Sequence, residues 1–85
     1  MIEETRKPVL FIVDDEASIR TVVRSFLTDM GYEVLVAASG PEALRVSRAH
    51  SGRIDLLITD VFMPGMDGPE LVRQLGATYH HESLP

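Results

Sequence analysis

Two short apolar runs that each end in aspartate constrain the fold of this chain more than any other feature. The first run covers residues 9–13 and leads into Asp14 and Asp15, and the second covers residues 56–59 and leads into Asp60. Runs of this length that are rich in β-branched residues are typical of strands buried on both faces of a parallel sheet. Ligands of open parallel sheets bind at the carboxyl ends of strands, where the topology switches direction. We therefore expect the three aspartates to share one edge of a sheet.

Three carboxylates at one edge repel one another. Two unit charges ~4 Å apart, at an effective dielectric of ~20, cost about 4 kcal/mol. Such a cluster is expected to bind a divalent cation or a proton. This expectation points to Asp60 and its neighbours as the place where the chain does chemistry.

The composition indicates one small domain and excludes several other classes of protein. The chain has 85 residues, of which 45% are hydrophobic and 25% are charged, as in ordinary globular domains. The lack of cysteine excludes a disulfide framework and a thiolate metal site, and it agrees with a cytoplasmic location. No apolar stretch approaches the ~18 residues of a membrane span. The net charge of −5 argues against direct binding of nucleic acid.

Strand and helix patterns alternate along the chain. We predict a polar lead-in over residues 1–8, a β-α-β-α-β-α unit over residues 9–76 and an irregular tail over residues 77–85. Alternating elements predict right-handed crossovers on a parallel sheet, and acids after strands one and three predict the spatial order 2-1-3. The predicted fold class is α/β, a flavodoxin-like doubly wound parallel sheet. The first helix would cover one face, and the second and third helices the other.

Local signals predict where the elements begin and end. The third strand is expected to begin at Ile54, and the first helix to end at Gly31 as its C′ glycine. Capping boxes predict the starts of the second and third helices, at residues 39–42 and 67–70. The first helix is predicted from six apolar residues at helical spacing: Ile19, Val22, Val23, Phe26, Leu27 and Met30.

Three segments together resemble the receiver domain of two-component response regulators. They are FIVDDE followed by an amphipathic helix, LLITDVFMPGMDG, and PELVRQL, and the match extends from about Val9 to Leu75. The resemblance implies that Asp60 is the phosphoacceptor. Asp60 would take a phosphoryl group from the phosphohistidine of a histidine kinase or from a small acyl phosphate. Any phosphotransfer would be self-directed, so the chain is not expected to be an enzyme.

The resemblance also implies a Mg²⁺ site. Asp15 would be a direct ligand and Asp14 a ligand acting largely through water. Asp60 and the backbone carbonyl of Phe62 would be the other ligands that the protein supplies. Mg²⁺ prefers hard oxygen ligands and keeps several waters. By screening the negative charge of Asp60 from an anionic donor, the cation would make that carboxylate a competent nucleophile.

Supporting roles are expected for residues around these acids. Arg20 and Arg24 form a basic face on the first helix, which is either a solvated surface or a docking site for the helical hairpin of the kinase. The loop behind Asp60 is expected to be fixed by a turn and a helix cap, formed by Pro64, Gly65, Asp67 and Gly68. His80-His81-Glu82 is expected to be a solvated loop, because adjacent histidines lack the helical spacing that converges on an ion.

An intact receiver has the strand order 2-1-3-4-5, and this chain stops at Pro85, about where the fourth strand would begin. The family's hydroxyl residue after strand four and lysine after strand five have no counterpart, since the single lysine is Lys7. We expect phosphotransfer by this chain alone to be weak or absent. We also expect strand three to be an exposed edge, and the chain to form a homo-oligomer through that edge or by exchanging elements.

Two other functions stay open on the sequence. One is an interaction or dimerisation module that keeps the receiver-like fold and works without phosphorylation. The other is a Mg²⁺-dependent phosphatase or nucleotidyl enzyme, which also places aspartates at strand ends. Such enzymes usually need Asp-x-Asp at one strand end, and neither acidic cluster has it.

Overall fold

Three strands and three helices alternate along residues 6–75, the part of the chain that the computed structural model describes. The strands form one parallel sheet in the order β2-β1-β3, which confirms the predicted fold class and strand order. In chain order the elements are β1 (Val9–Val13), α1 (Ala17–Asp29), β2 (Glu33–Ala37), α2 (Gly40–Ala49), β3 (Leu56–Thr59) and α3 (Gly68–Leu75).

The central strand β1 is buried along its whole length, as predicted. It has a neighbour on each side and carries only apolar side chains, which suits a strand covered on both faces. Its last residue, Val13, is paired with Ala37 of β2 and with Thr59 of β3. The three strands therefore end at the same edge of the sheet.

The main core lies on the face of the sheet that α2 and α3 cover. Six fully or almost fully buried side chains form it: Phe11, Val13, Ala37, Ala43, Met63 and Leu71. Burial of a large apolar side chain contributes roughly 1.5–3 kcal/mol. This cluster therefore fixes α2 and α3 against β1 and β2, and with them the loop that precedes α3.

The other face is covered only in part. Helix α1 lies over β1 and β2, whereas Leu56 and Ile58 of β3 remain 51% and 40% exposed. The expectation that the run over residues 56–59 is buried on both faces is therefore wrong for this face. Its physical reason is the position of β3 at the edge of the described sheet, beyond the reach of α1.

The predicted apolar stripe of α1 is only partly buried against the sheet. Val23 and Leu27 are half-buried. The remaining four members are exposed by 43–66%: Ile19, Val22, Phe26 and Met30. A helical period thus identified the helix correctly, but only part of the stripe contacts the sheet.

Most of the predicted element ends are confirmed. Gly31 has φ 99°, as a C′ glycine requires. The Ser39 hydroxyl accepts from the Glu42 N–H at 3.2 Å. Strand β3 begins at Leu56 rather than at the predicted Ile54. Gly76, the last residue of the predicted β-α-β-α-β-α unit, lies outside the described residues, as do the predicted tail and most of the lead-in.

The longest helix among residues 6–75 is α1, with 13 residues. No helix in this part of the chain has the length and apolar character to cross a membrane.

Candidate metal centre at the carboxyl edge of the sheet

The carboxylates of Asp14, Asp15 and Asp60 lie together at the edge where the strands end. One oxygen of each lies within 4.8 Å of one oxygen of each of the others. None of the three side chains is buried, so a solvated ion can reach them. The sequence predicted this grouping from two acidic clusters that are 45 residues apart.

Backbone hydrogen bonds that continue the strand ladder hold two of these acids. The Asp14 N–H donates to the Ala37 carbonyl oxygen at 3.1 Å, and the Asp60 N–H donates to the Val13 carbonyl oxygen at 3.1 Å. The residue just after each strand thus keeps the register of the sheet. Because this register is set by the buried strand β1, the acids are positioned by the core.

The loop between β1 and α1 is fixed mainly through Asp14. One carboxylate oxygen of Asp14 accepts from the Glu16 N–H at 2.9 Å. Its carbonyl oxygen accepts from Nη1 of Arg20 at 2.7 Å. The side chain and both backbone polar groups of Asp14 are therefore all held within this part of the structure.

The loop between β3 and α3 brings the start of α3 against Asp60. The Gly68 N–H donates to the Val61 carbonyl oxygen at 2.9 Å. A Cβ atom at Gly68 would lie 2.5 Å from the Asp60 carbonyl oxygen, so this close approach requires glycine. The carboxylate of Asp67 caps α3 by accepting from the Glu70 N–H at 2.9 Å, as the capping pattern predicts.

Two other residues predicted for this loop also lie in it. Gly65 has φ 87°, and the Pro64 carbonyl oxygen accepts from the Met66 N–H at 3.1 Å in a tight turn. The side chain of Phe62 is 82% exposed. The role of its carbonyl oxygen as a metal ligand stays a prediction.

The charges of the cluster favour a cation. Within residues 6–75, the ion pairs are formed by Asp55 and Glu70, and none involves the three clustered acids. An octahedral Mg²⁺ ion binds oxygen at about 2.0–2.1 Å, so opposite ligands lie about 4.2 Å apart. The all-oxygen donor set therefore suits Mg²⁺ with waters completing its shell, although the 4.8 Å limit on the oxygen separations is slightly wider than this span, so the carboxylates would draw closer around the ion.

The two arginines predicted for kinase docking differ in their surroundings. Arg20 is half-buried and bonded to Asp14, whereas Arg24, one turn later, is exposed. The docking role of both stays a prediction. Sequence reasoning missed the contact of Arg20 with Asp14. The sequence feature that could have indicated this contact is the position of Arg20 near the start of α1, because long side chains on a helix point back toward its N-terminus. His80 and His81 lie outside the described residues.

Comparison with known proteins agrees with this geometry. Residues 10–85 match the family model of the response regulator receiver domain. The chain is 47% identical over 66 residues to a probable transcriptional regulator ycf27 of Cyanidium caldarium, covering 78% of this chain and 26% of that protein. It is 41% identical over 70 residues to the sensor kinase CckA of Brucella abortus, covering 82% of this chain and 7% of that protein.

A solved structure is similar to this chain in both sequence and fold. It is the response regulator TrrA of Thermotoga maritima in complex with Mg²⁺ and BeF, which is 37% identical with a TM-score of 0.71. The match covers 80% of this chain and 57% of that one. The chain thus spans only part of each of these proteins. It belongs to the family of response regulator receiver domains.

Proposed function

We propose that the chain is a Mg²⁺-dependent phosphoacceptor in two-component signalling, with Asp60 as the residue that is phosphorylated. The observation that carries this proposal is the convergence of three carboxylates within 4.8 Å at the carboxyl edge of the sheet. Dipole stabilisation of the α1 N-terminus would account for Asp14 and Asp15 alone, but it does not require Asp60 beside them. Family membership supports the same assignment.

The residues of the acidic cluster have different roles in phosphoryl transfer. A carboxylate oxygen of Asp60 attacks phosphorus and forms an acyl phosphate. The bond from phosphorus to the donor atom, a histidine nitrogen or an acyl oxygen, breaks, and its electron pair leaves with the donor. Asp14, Asp15 and Asp60 would hold Mg²⁺, and the ion would supply positive charge to offset the negative charge of the transferred group. The hydrogen bond from the Asp60 N–H to the Val13 carbonyl oxygen holds the backbone that carries this carboxylate in the register of the sheet.

The donor that we propose is a histidine kinase, with Arg24 on the exposed part of α1 as a candidate contact. The relative CckA is itself a sensor kinase, and TrrA was solved with Mg²⁺ and BeF. Both findings support a receiver role. We propose a cytoplasmic location, which is typical of this family.

Mg²⁺ titration of the full chain tests the proposal. We expect Asp60→Asn to weaken Mg²⁺ binding about tenfold or more, because it removes one of three charged ligands. Asp67→Asn is the matched control. Position 67 lies outside the cluster, and an asparagine there can still cap α3. Acetyl phosphate with Mg²⁺ is expected to label the unsubstituted chain slowly and Asp60→Asn not at all. Equal Mg²⁺ affinity of the Asp60→Asn variant and the unsubstituted chain would reject the site.

The exposed apolar side chains of α1 and β3 favour a second candidate function, self-association without phosphorylation. Val22 and Phe26 are 66% and 64% exposed, and Leu56 is 51% exposed. Exposed apolar surface and an open strand edge both promote pairing between copies. We propose a second copy of this chain as the occupant of this surface, through edge pairing or exchange of elements.

Sedimentation at micromolar concentration separates the two functions. Association that persists in metal-free buffer and in Asp60→Asn would support the second candidate. A stable monomer at these concentrations would remove it. Phe26→Gln is expected to weaken the association. Arg45→Gln is the control and should leave the association unchanged, because Arg45 is exposed on α2, outside this surface.

A further inference from the structure

We propose that Arg20 is a positioning residue that orients the acidic cluster through the backbone of Asp14. Nη1 of Arg20 donates to the Asp14 carbonyl oxygen at 2.7 Å, in a partly buried contact that spans six residues. A hydrogen bond from a charged donor is stronger than one between neutral groups. The inference rests on the proposed function, because the group it positions is the proposed metal site.

Planarity of the peptide unit carries the effect from Asp14 to Asp15. The carbonyl oxygen of Asp14 and the N–H of Asp15 belong to one rigid plane. When Arg20 holds that oxygen, it sets the plane from which the Asp15 side chain departs. The other polar groups of Asp14 are held by Ala37 and Glu16. The contact from Arg20 thus controls the orientation of the peptide plane that joins Asp14 to Asp15.

The chemistry of the contact leaves the carboxylates available to a cation. Arg20 bonds to a neutral carbonyl, and it forms no ion pair within residues 6–75. A guanidinium that bonded the carboxylates directly would compete with Mg²⁺ for their oxygens. Arg20 therefore orders the loop without occupying the ligand atoms.

The start of α1 shows why such a contact is needed. Its N-cap residue, Glu16, makes no side-chain capping bond, and the first turn contains no acid. The usual means of fastening a helix start are therefore lacking here. Arg20 connects the first turn of α1 to the preceding loop instead. Arg24 lies one turn later and is exposed, so it offers the same side chain without this role.

Mg²⁺ titration of the full chain, followed by the NMR amide signals of Asp15 and Asp60, tests the inference. We expect Arg20→Met to raise the Kd for Mg²⁺ about tenfold, the scale of losses when a ligand's supporting partner is removed. Saturating Mg²⁺ should restore the bound-state signals, because orientation changes and the ligands do not. Arg20→Lys should recover part of the affinity, since an ammonium can still donate to the carbonyl.

Arg24→Met is the matched control for charge and helix position, and it should bind Mg²⁺ like the unsubstituted chain. Urea unfolding in metal-free buffer reports any loss of stability separately. Unchanged Mg²⁺ affinity in Arg20→Met, with weakened binding in Asp60→Asn, would overturn the role of Arg20 alone. Unchanged affinity in Asp60→Asn would instead overturn the proposed function. If Arg20→Met does not fold, Arg20→Lys must bind Mg²⁺ more weakly than Arg24→Lys for the inference to stand.

Discussion

The two faces of the sheet differ in how completely their apolar side chains are covered. On the face under α2 and α3, Phe11, Val13 and Leu71 are fully buried. On the face under α1, no residue of the helix is buried, and Phe26 is 64% exposed. Both faces carry similar apolar side chains, so the difference lies in the elements that cover them.

This comparison explains where the acidic cluster obtains its rigidity. Asp60 continues into the loop that α3 and Met63 fix to the packed face. Asp14 and Asp15 lead into α1, which lacks buried side chains. Asp60 is therefore held by the sheet register and by the packed face, whereas Asp14 and Asp15, beyond the bond of Asp14 to β2, depend on individual hydrogen bonds such as that from Arg20. We expect substitutions on the two faces to have different consequences.

The largest effect on stability should come from truncating a leucine on the packed face, and a leucine on the other face provides the comparison. Leu71→Ala removes a side chain with 0% exposure, and such changes cost about 2–5 kcal/mol because they leave a cavity. Leu56→Ala on the other face removes a side chain that is 51% exposed, and it should cost about 1 kcal/mol or less. Urea unfolding of both variants at a concentration where the chain is monomeric measures the difference. Similar losses would show that the α1 face is packed in solution.

A smaller effect is expected where a helix start touches the site. Gly68→Ala would place a Cβ atom 2.5 Å from the Asp60 carbonyl oxygen. A backbone atom cannot turn away, so α3 must shift, at a cost of roughly 1–3 kcal/mol. The shift should also lower the affinity for Mg²⁺, because it moves Asp60.

Gly40→Ala provides the comparison for this prediction. A Cβ atom there would lie 2.6 Å from Sδ, 2.7 Å from Cβ and 2.8 Å from Cγ of Met66. A rotamer change moves Sδ and Cγ but not Cβ, so the backbone at Met66 must also shift. We expect a loss of stability similar to that of Gly68→Ala in urea unfolding, but unchanged Mg²⁺ affinity, because this clash does not involve Asp60. An equal loss of Mg²⁺ affinity in both variants would show that the contact of Gly68 with Asp60 has no special role.

Features that depend on local signals could be predicted from the sequence. The limits of β1, the cap at Ser39 and the αL glycine at Gly31 each follow from residues within a few positions. The meeting of Asp14 and Asp60 could also be predicted, because parallel strands align their carboxyl ends whatever the sequence distance between them. These parts of the fold and the site needed no knowledge of side-chain conformation.

Features that depend on tertiary partners could not be predicted in the same way. The period of α1 identifies an apolar stripe, but it does not say which members meet the sheet. The start of β3 was set too early because the Val9 N–H bonds to the Asp55 carboxylate, at 2.8 Å, in place of a strand carbonyl. The contact of Arg20 depends on one side-chain conformer, and a sequence pattern alone does not specify it.

The smallest effect is expected at Asp55, which fastens the exposed strand β3 to the buried strand β1 at their amino ends. Its N–H donates to the Val9 carbonyl oxygen at 2.8 Å, and its carboxylate accepts from the Val9 N–H. This bond is the largest effect on the pKa of Asp55, and together with the interactions of Arg53 and Arg6 it lowers that pKa below its usual 3.8, against the opposing effect of desolvation. Because the pKa is lower in the folded state, the charged form adds stability above about pH 4. That contribution fades as the pH falls through the lowered pKa.

The variant Asp55→Asn tests this contribution. Asparagine can still accept from the Val9 N–H, so Asp55→Asn should flatten the acid side of a plot of urea midpoint against pH. Asp29→Asn, at the exposed end of α1, controls for net charge. An acid slope that is the same in Asp55→Asn and the unsubstituted chain would show that this carboxylate does not couple the two strands through its charge.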